Sequence, residues 1–176
     1  HSLRFFFFFC KTDSGRFRKA RTAPAPSGAY KAAKTEVQRQ NTRTMANKIL
    51  YVCQEITPYL PETEASGLCR ALTQAMQERG NEIRTFMPRY GCINERRHQL
   101  HEVIRLSGMN LIIDDNDHQL IIKVASIPAA RVQIYFIDND DYFMKRKMEV
   151  DEMGEEYPDN GERAIFFARG VLETVK

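Results

Sequence analysis

The chain has 176 residues, 43% of them hydrophobic and 28% charged, which supports one packed core and is too short for two ordinary domains. No apolar run approaches the roughly 20 residues that a spanning helix needs, and Cys10, Cys53, Cys69 and Cys92 form no CxxC pair, which argues against a disulfide scaffold or zinc ribbon and for a reducing, cytoplasmic setting. The net charge of +3 hides a split: residues 1–44 hold ten Lys or Arg against two acids, whereas residues 45–176 hold sixteen against twenty-one.

Residues 1–44 include the run Phe5–Phe9 and an Ala-Pro-Ala-Pro stretch at 23–26. They show no sustained helical or strand period and are expected to be disordered. The Phe run is too short for a secretory signal and is followed by Lys11. Arg-rich, acid-poor composition suits an organelle transit peptide, and clustered cations suit a nucleic-acid arm. The preferred reading is simpler: this stretch lies upstream of the true start, because Met45-Ala46-Asn47-Lys48 leads straight into an apolar strand. The domain is therefore read as 45–176.

Ile49-Leu50-Tyr51-Val52-Cys53 has the continuous apolar character of a strand covered on both faces. After a loop with Pro58 and Pro61, Ala65, Leu68, Cys69, Leu72, Ala75 and Met76 recur at helical spacing, and Gly80 supplies a stop. Glu82–Met87 predicts the next strand, closed by Pro88. Strand, helix and strand in this order form a right-handed βαβ unit, so an open α/β sheet leads. Residues 93–100 predict a polar loop or short helix. Extended stretches at about 101–106, 118–127 and 130–138, with turns at Asp114–Asp117 and Pro128-Ala129, predict a mostly antiparallel ribbon in the middle. Asp159-Asn160-Gly161-Glu162-Arg163 predicts the start of a last helix, with Ala164, Ile165, Ala168, Val171, Leu172 and Val175 on its core face. A parallel sheet needs more strands than remain, so the sequence is expected to be the first part of a longer protein.

Neither GxGxxG nor GxxxxGK[ST] occurs. His98 and His101 have no third metal ligand in the pattern. Asp114, Asn116 and His118 alternate like part of a calcium loop, but Gln119 stands where the turn requires Gly. Asp115-Asn116-Asp117 and Asp138-Asn139-Asp140 read as strand-end turns rather than a metal–diphosphate site. Lys145-Arg146-Lys147 lies among acids and reads as a solvated face. No cofactor, metal, nucleic-acid partner or membrane contact is expected. By position, the loop after the first strand is the informative place, since ligands of open α/β sheets bind beyond the carboxyl ends of the strands. Glu62 and Glu64 make that loop repel a phosphate and serve the helix dipole instead.

The segments Lys48-Ile49-Leu50-Tyr51-Val52, Glu55-Ile56-Thr57-Pro58-Tyr59, Arg79-Gly80-Asn81-Glu82-Ile83-Arg84, Met87-Pro88-Arg89-Tyr90-Gly91, Ile134-Tyr135-Phe136-Ile137-Asp138-Asn139 and Tyr157-Pro158-Asp159-Asn160-Gly161-Glu162-Arg163 together resemble the glycogen/starch synthase family, in order across 48–176. The resemblance implies the Rossmann-like N-terminal half of a two-domain GT-B glycosyltransferase. Such enzymes move glucose from ADP-glucose or UDP-glucose to an α-1,4-glucan, with retention and without a metal. The partners so implied are a nucleotide-sugar donor and an α-glucan acceptor. Family positions that match, and that the resemblance makes either cleft-edge or structural, are Glu55, Pro58, Tyr59, Asn160 and Arg163; Glu55, Tyr59, Asn160 and Arg163 are the candidate substrate-binding residues. The catalytic residues are not identified. The family's Lys-x-Gly-Gly donor loop falls on Pro61, Glu62, Thr63 and Glu64, its nearby Asp on Gly67, and its Gly-x-Tyr-Gly on Lys147, Met148, Glu149 and Val150. Each charge-assisted hydrogen bond lost there costs about 1.5–3 kcal/mol of donor binding. Two readings follow: a glucosyltransferase domain, inactive on its own, or a divergent, catalytically silent domain that binds glucan or regulates storage-polysaccharide metabolism.

Overall fold

The computed structural model describes Phe7–Cys10, residues 47–128 and residues 130–176. Seven strands form one sheet: β1 (Phe7–Cys10), β2 (Lys48–Val52), β3 (Glu82–Pro88), β4 (His101–Glu102), β5 (Met109–Ile113), β6 (Asn116–Ile127) and β7 (Val132–Asp138). Their order is β1-β2-β3-β7-β6-β4, with β5 on β6. β2, β3 and β7 run parallel, while β1, β4, β5 and β6 pair antiparallel to their neighbours. This is the α/β sheet that the hydrophobic pattern predicts, with the antiparallel ribbon from the middle of the sequence flanking the parallel strands at one edge. Four residues of the 1–44 segment thus form an edge strand; the expectation of disorder for the rest of that segment, and the readings of it as a leader or arm, lie outside the described residues.

Helix α1 (Glu64–Glu78) returns from β2 to β3. Thr63 caps it reciprocally with Ser66: the Ser66 N–H donates to Thr63 Oγ1 at 3.0 Å and the Thr63 N–H to Ser66 Oγ at 2.8 Å. At the other end, Gly80 (φ 81°) takes the left-handed turn that the sequence predicts. Its N–H donates to the Gln77 carbonyl and that of Asn81 to Met76, closing a Schellman motif. Thr63→Ala removes one side of the cap and should lower stability by about 1 kcal/mol, read as a drop of the thermal midpoint by a few degrees.

The first strand of the ribbon is shorter than predicted. Only His101–Glu102 of the 101–106 stretch pairs as strand, because the Leu106 and Ser107 N–H groups fold back onto the Val103 carbonyl. β4 still pairs with β6, and β6 gains a further antiparallel partner, β5, reached through Gly108 at φ 93° and joined to β6 by Asp114 and Asp115, both at positive φ. Two successive left-handed residues suit the twist of a tight hairpin.

The two faces of the sheet take different helices. Tyr51, Thr85 and Ile134 share a face and register, and Tyr51 donates its hydroxyl proton to Cys69 of α1. The final helix α3 (Asn160–Val175) lies on the other face, where a Cβ on Gly170 would stand 2.9 Å from Ile137 and 3.0 Å from Leu120. Its buried residues are Arg163, Phe166, Gly170 and Val171. Of the predicted core row only Val171 is inward; Ile165 and Leu172 are 54% and 57% exposed. The reason is packing. Phe166 joins an aromatic group with His118, Tyr142 and Phe143, and only a glycine lets the helix lie so close to Ile137. Among the described residues no helix is long and apolar enough to cross a membrane.

Candidate functional site

β2, β3 and β7 end at Val52, Pro88 and Asp138 on the same edge of the sheet, where the Cys53 and Arg89 N–H groups still donate to the carbonyls of Phe86 and Ile137 on the neighbouring strands. The β2–α1 loop is anchored from below: Ile56, Tyr59 and Leu60 are buried. Tyr59 sits edge-on to Phe136 of β7 and to His98, ring centroids 5.0 and 5.1 Å away. His98 ends the short helix α2 (Glu95–His98), so the helix predicted as an alternative within 93–100 forms and lies against the first loop. Burial lifts the Tyr59 phenol to about 12 despite the pull of Arg70. Glu62 and Glu64 stay exposed, and Thr63 engages the helix start, as the acidic reading of this loop requires.

Glu55 lies half-buried on that loop, where its charge bears on Cys53, Cys69 and Tyr90. Tyr90, 3% exposed, is raised first by burial, with Glu149 and Glu55 adding to it and Arg163 opposing. Its ring meets that of Phe143 edge-on, with centroids 6.2 Å apart.

At that entry Asn160 and Arg163 are in contact. Arg163, 4% exposed, donates from Nε to the Tyr142 carbonyl (2.7 Å), from Nη1 to Asn160 Oδ1 (2.6 Å) and from Nη2 to the Met148 carbonyl (2.7 Å). The Asn160 amide donates to the Glu149 carbonyl at 2.9 Å. The two residues thus hold the 142–149 backbone at the carbonyls of Tyr142, Met148 and Glu149. The structure places Glu55 and Tyr59 on the β2–α1 loop and brings Asn160 into contact with Arg163 at the start of α3. Asp159 precedes α3 without a side-chain cap and pairs with Arg146 at 3.2 Å.

A buried ionic group lies at the same edge and was not singled out by motif. Lys123 Nζ stands 2.8 Å from Asp138 Oδ2 and 2.7 Å from Glu95 Oε1; Arg89 also donates to Glu95 Oε1 and lies 3.9 Å from Asp138. Burial lifts the Asp138 carboxyl above its usual range against the pull of Lys123 and Arg89. Burial also pushes Glu95 up, but the hydrogen bond from Lys123 and the charge of Arg89 outweigh it and hold Glu95 low. The available signal was Lys123 itself, a lone cation inside the apolar run Leu120-Ile121-Ile122-Lys123-Val124. Asp138 and Asn139 do end a strand, as predicted: Asn139 accepts from the Asp141 and Tyr142 N–H groups of a π-helical turn, Asp140–Met144.

A family description, Starch synthase catalytic domain, matches residues 48–176. Curated glycogen synthases from Chlorobium luteolum, Chlorobaculum tepidum and Chlorobium limicola are 36%, 37% and 37% identical, each over 73% of this chain. The match covers 26%, 26% and 27% of those proteins, so the chain spans about a quarter of their length. The catalytic domain of Starch Synthase IV from Arabidopsis thaliana, bound to ADP and acarbose, superposes with a TM-score of 0.58 at 17% identity, over 72% of this chain and 24% of that one. At that identity the likeness speaks for the fold, which is the GT-B-type α/β sheet expected from the sequence. Fold, register of motifs and family match coincide over the same residues: this chain belongs to the starch synthase catalytic domain family.

Proposed function

We propose that the protein containing this domain transfers glucose from ADP-glucose or UDP-glucose to an α-1,4-glucan. The observation that carries the reading is the family match across 48–176. It is supported by the carboxyl ends of three parallel strands opening onto one edge, where such sheets bind ligands. In the transfer, the bond from the anomeric carbon to the diphosphate breaks and a bond to the glucan hydroxyl forms. The hydroxyl proton is lost and the nucleoside diphosphate leaves. Glu55 borders the acceptor side, and Tyr59, buried against Phe136 and His98, supports its loop from below. Asn160 and Arg163 act from behind, holding the 142–149 wall, since the Arg163 donors are turned to protein carbonyls and Asn160. The cations that stabilise the departing diphosphate would come from outside the first loop.

One observation favours a second reading, a silent glucan-binding domain. The first loop carries Pro61, Glu62, Thr63 and Glu64, and Thr63 caps α1 with its own side chain. The test is transfer of labelled glucose from ADP-glucose to glycogen by the intact protein, with glycogen co-sedimentation alongside. Incorporation is the expected result. Glycogen binding without incorporation selects the silent reading, and loss of both overturns the assignment.

A further inference from the structure

Arg89, at the end of β3, and Lys123, on β6, converge on a single oxygen, Oε1 of Glu95. Asp138 lies behind them, its side chain 1% exposed. Arg89 and Lys123 are also largely covered, at 8% and 15%, whereas Glu95 reaches solvent at 34%. Two buried guanidinium donors, Arg89 Nε and Nη1, have no hydrogen-bond acceptor among the described residues. Asp138 Oδ1 and Oδ2 lack a hydrogen-bond partner as well, Arg89 Nε standing 3.9 Å from Oδ2, so the two carboxylates present leave the Arg89 fork unsaturated. A carboxylate offers two oxygens in a plane, and here one of them serves both cations. A phosphoryl group offers at least three, tetrahedrally arranged and more highly charged, which is the geometry that an arginine fork with a neighbouring lysine satisfies.

We propose that Arg89 and Lys123 form a binding site for a phosphoryl oxyanion, and that Glu95 is the internal carboxylate that fills it when no such ligand is bound. Glu95 begins the four-residue helix α2, so a rotamer change carries its carboxylate outward without disturbing the sheet. Asp138 is fixed in the core and stays with Lys123. With Glu95 in place the four groups are neutral; with Glu95 withdrawn they carry one positive charge and admit the ligand. The site neighbours the acidic first loop, against which α2 packs through His98 and Tyr59, but shares no residue with it. It stands apart from the glucosyl-transfer reading, because it is measured by binding and not by turnover.

The test is isothermal titration of the full chain with inorganic phosphate and, separately, with pyrophosphate, in a chloride background. Amide NMR shifts locate the site. Saturable binding with shifts centred on residues 89, 95 and 123 is expected. Glu95→Gln removes the competing charge while keeping the shape, and should tighten binding about ten-fold; Lys123→Met should weaken it about ten-fold. Tighter binding of pyrophosphate than of phosphate identifies a diphosphate as the natural group, and equal binding a monophosphate. Absence of saturable binding in both the native chain and E95Q overturns the proposal, as does an unchanged affinity in E95Q. Should K123M fail to fold, the ratio between E95Q and the native chain decides alone.

Discussion

Arg163→Ala is expected to destabilise the domain by about 4 kcal/mol, since charge-assisted hydrogen bonds contribute about 1.5–3 kcal/mol each and do not add fully. Three are lost at once, to the carbonyls of Tyr142 and Met148 and to Asn160 Oδ1. The guanidinium also lies over the rings of Phe143 and Tyr157, 5.6 and 5.5 Å from their centroids, contacts that alanine loses as well. Arg163→Lys should recover less than half of the loss, because one ammonium cannot span three acceptors held by a planar fork. The midpoint of urea unfolding measures both variants. A purely substrate-binding arginine would give the opposite pattern, with stability unchanged and glycogen binding lost, so an unchanged midpoint in R163A would sink the wall-holding role.

Gly91→Ala is expected to cost about 3 kcal/mol, the upper end for forcing atoms into a packed site. The glycine is not there for a left-handed turn. It is there because the backbone of the 144–146 segment passes over it: an added Cβ would collide with the Met144 carbonyl oxygen and stand 2.8 Å from that of Arg146. The Gly91 N–H already donates to the Arg146 carbonyl at 2.7 Å, so the two segments cannot part without losing that bond. Backbone cannot rotate aside as a side-chain tip can. The strain should spread to the wall that Arg163 holds, and increased amide hydrogen exchange across 142–149 would show it. A melting midpoint within a degree of the native value would count against so close an approach.

Much of the scaffold was legible before any tertiary information. A buried parallel strand must be apolar on both faces, which marks 49–53 and the Val/Ile-rich stretches. A helix beside it must be apolar at intervals of three and four, and must end where a left-handed residue is cheap, which marks Gly80. Asp114 and Asp115 announce a hairpin for the same conformational reason. The order of these signals, with the motifs laid along them, was enough for the family. The ribbon formed where its three stretches were expected, but its first strand was cut to His101–Glu102 and one further strand, β5, was added. The residues after Glu102 have strand composition but fold back on Val103, a choice made by hydrogen bonds and not by residue type.

What the amino-acid pattern determined is therefore local: which segments are strands and helices, and that the first loop is acidic. Which face of α3 turns inward was decided only by packing, since the helix has apolar residues on two sides and Gly170 with Phe166 fits the sheet while Ile165 with Leu172 does not. The charge cluster was decided the same way. Arg89, Glu95, Lys123 and Asp138 belong to four separate segments, each ordinary alone, and a Coulomb interaction depends on distances that exist only once β3, β6 and β7 are side by side. Local physics is written along the chain, whereas electrostatics between distant segments is written by the fold.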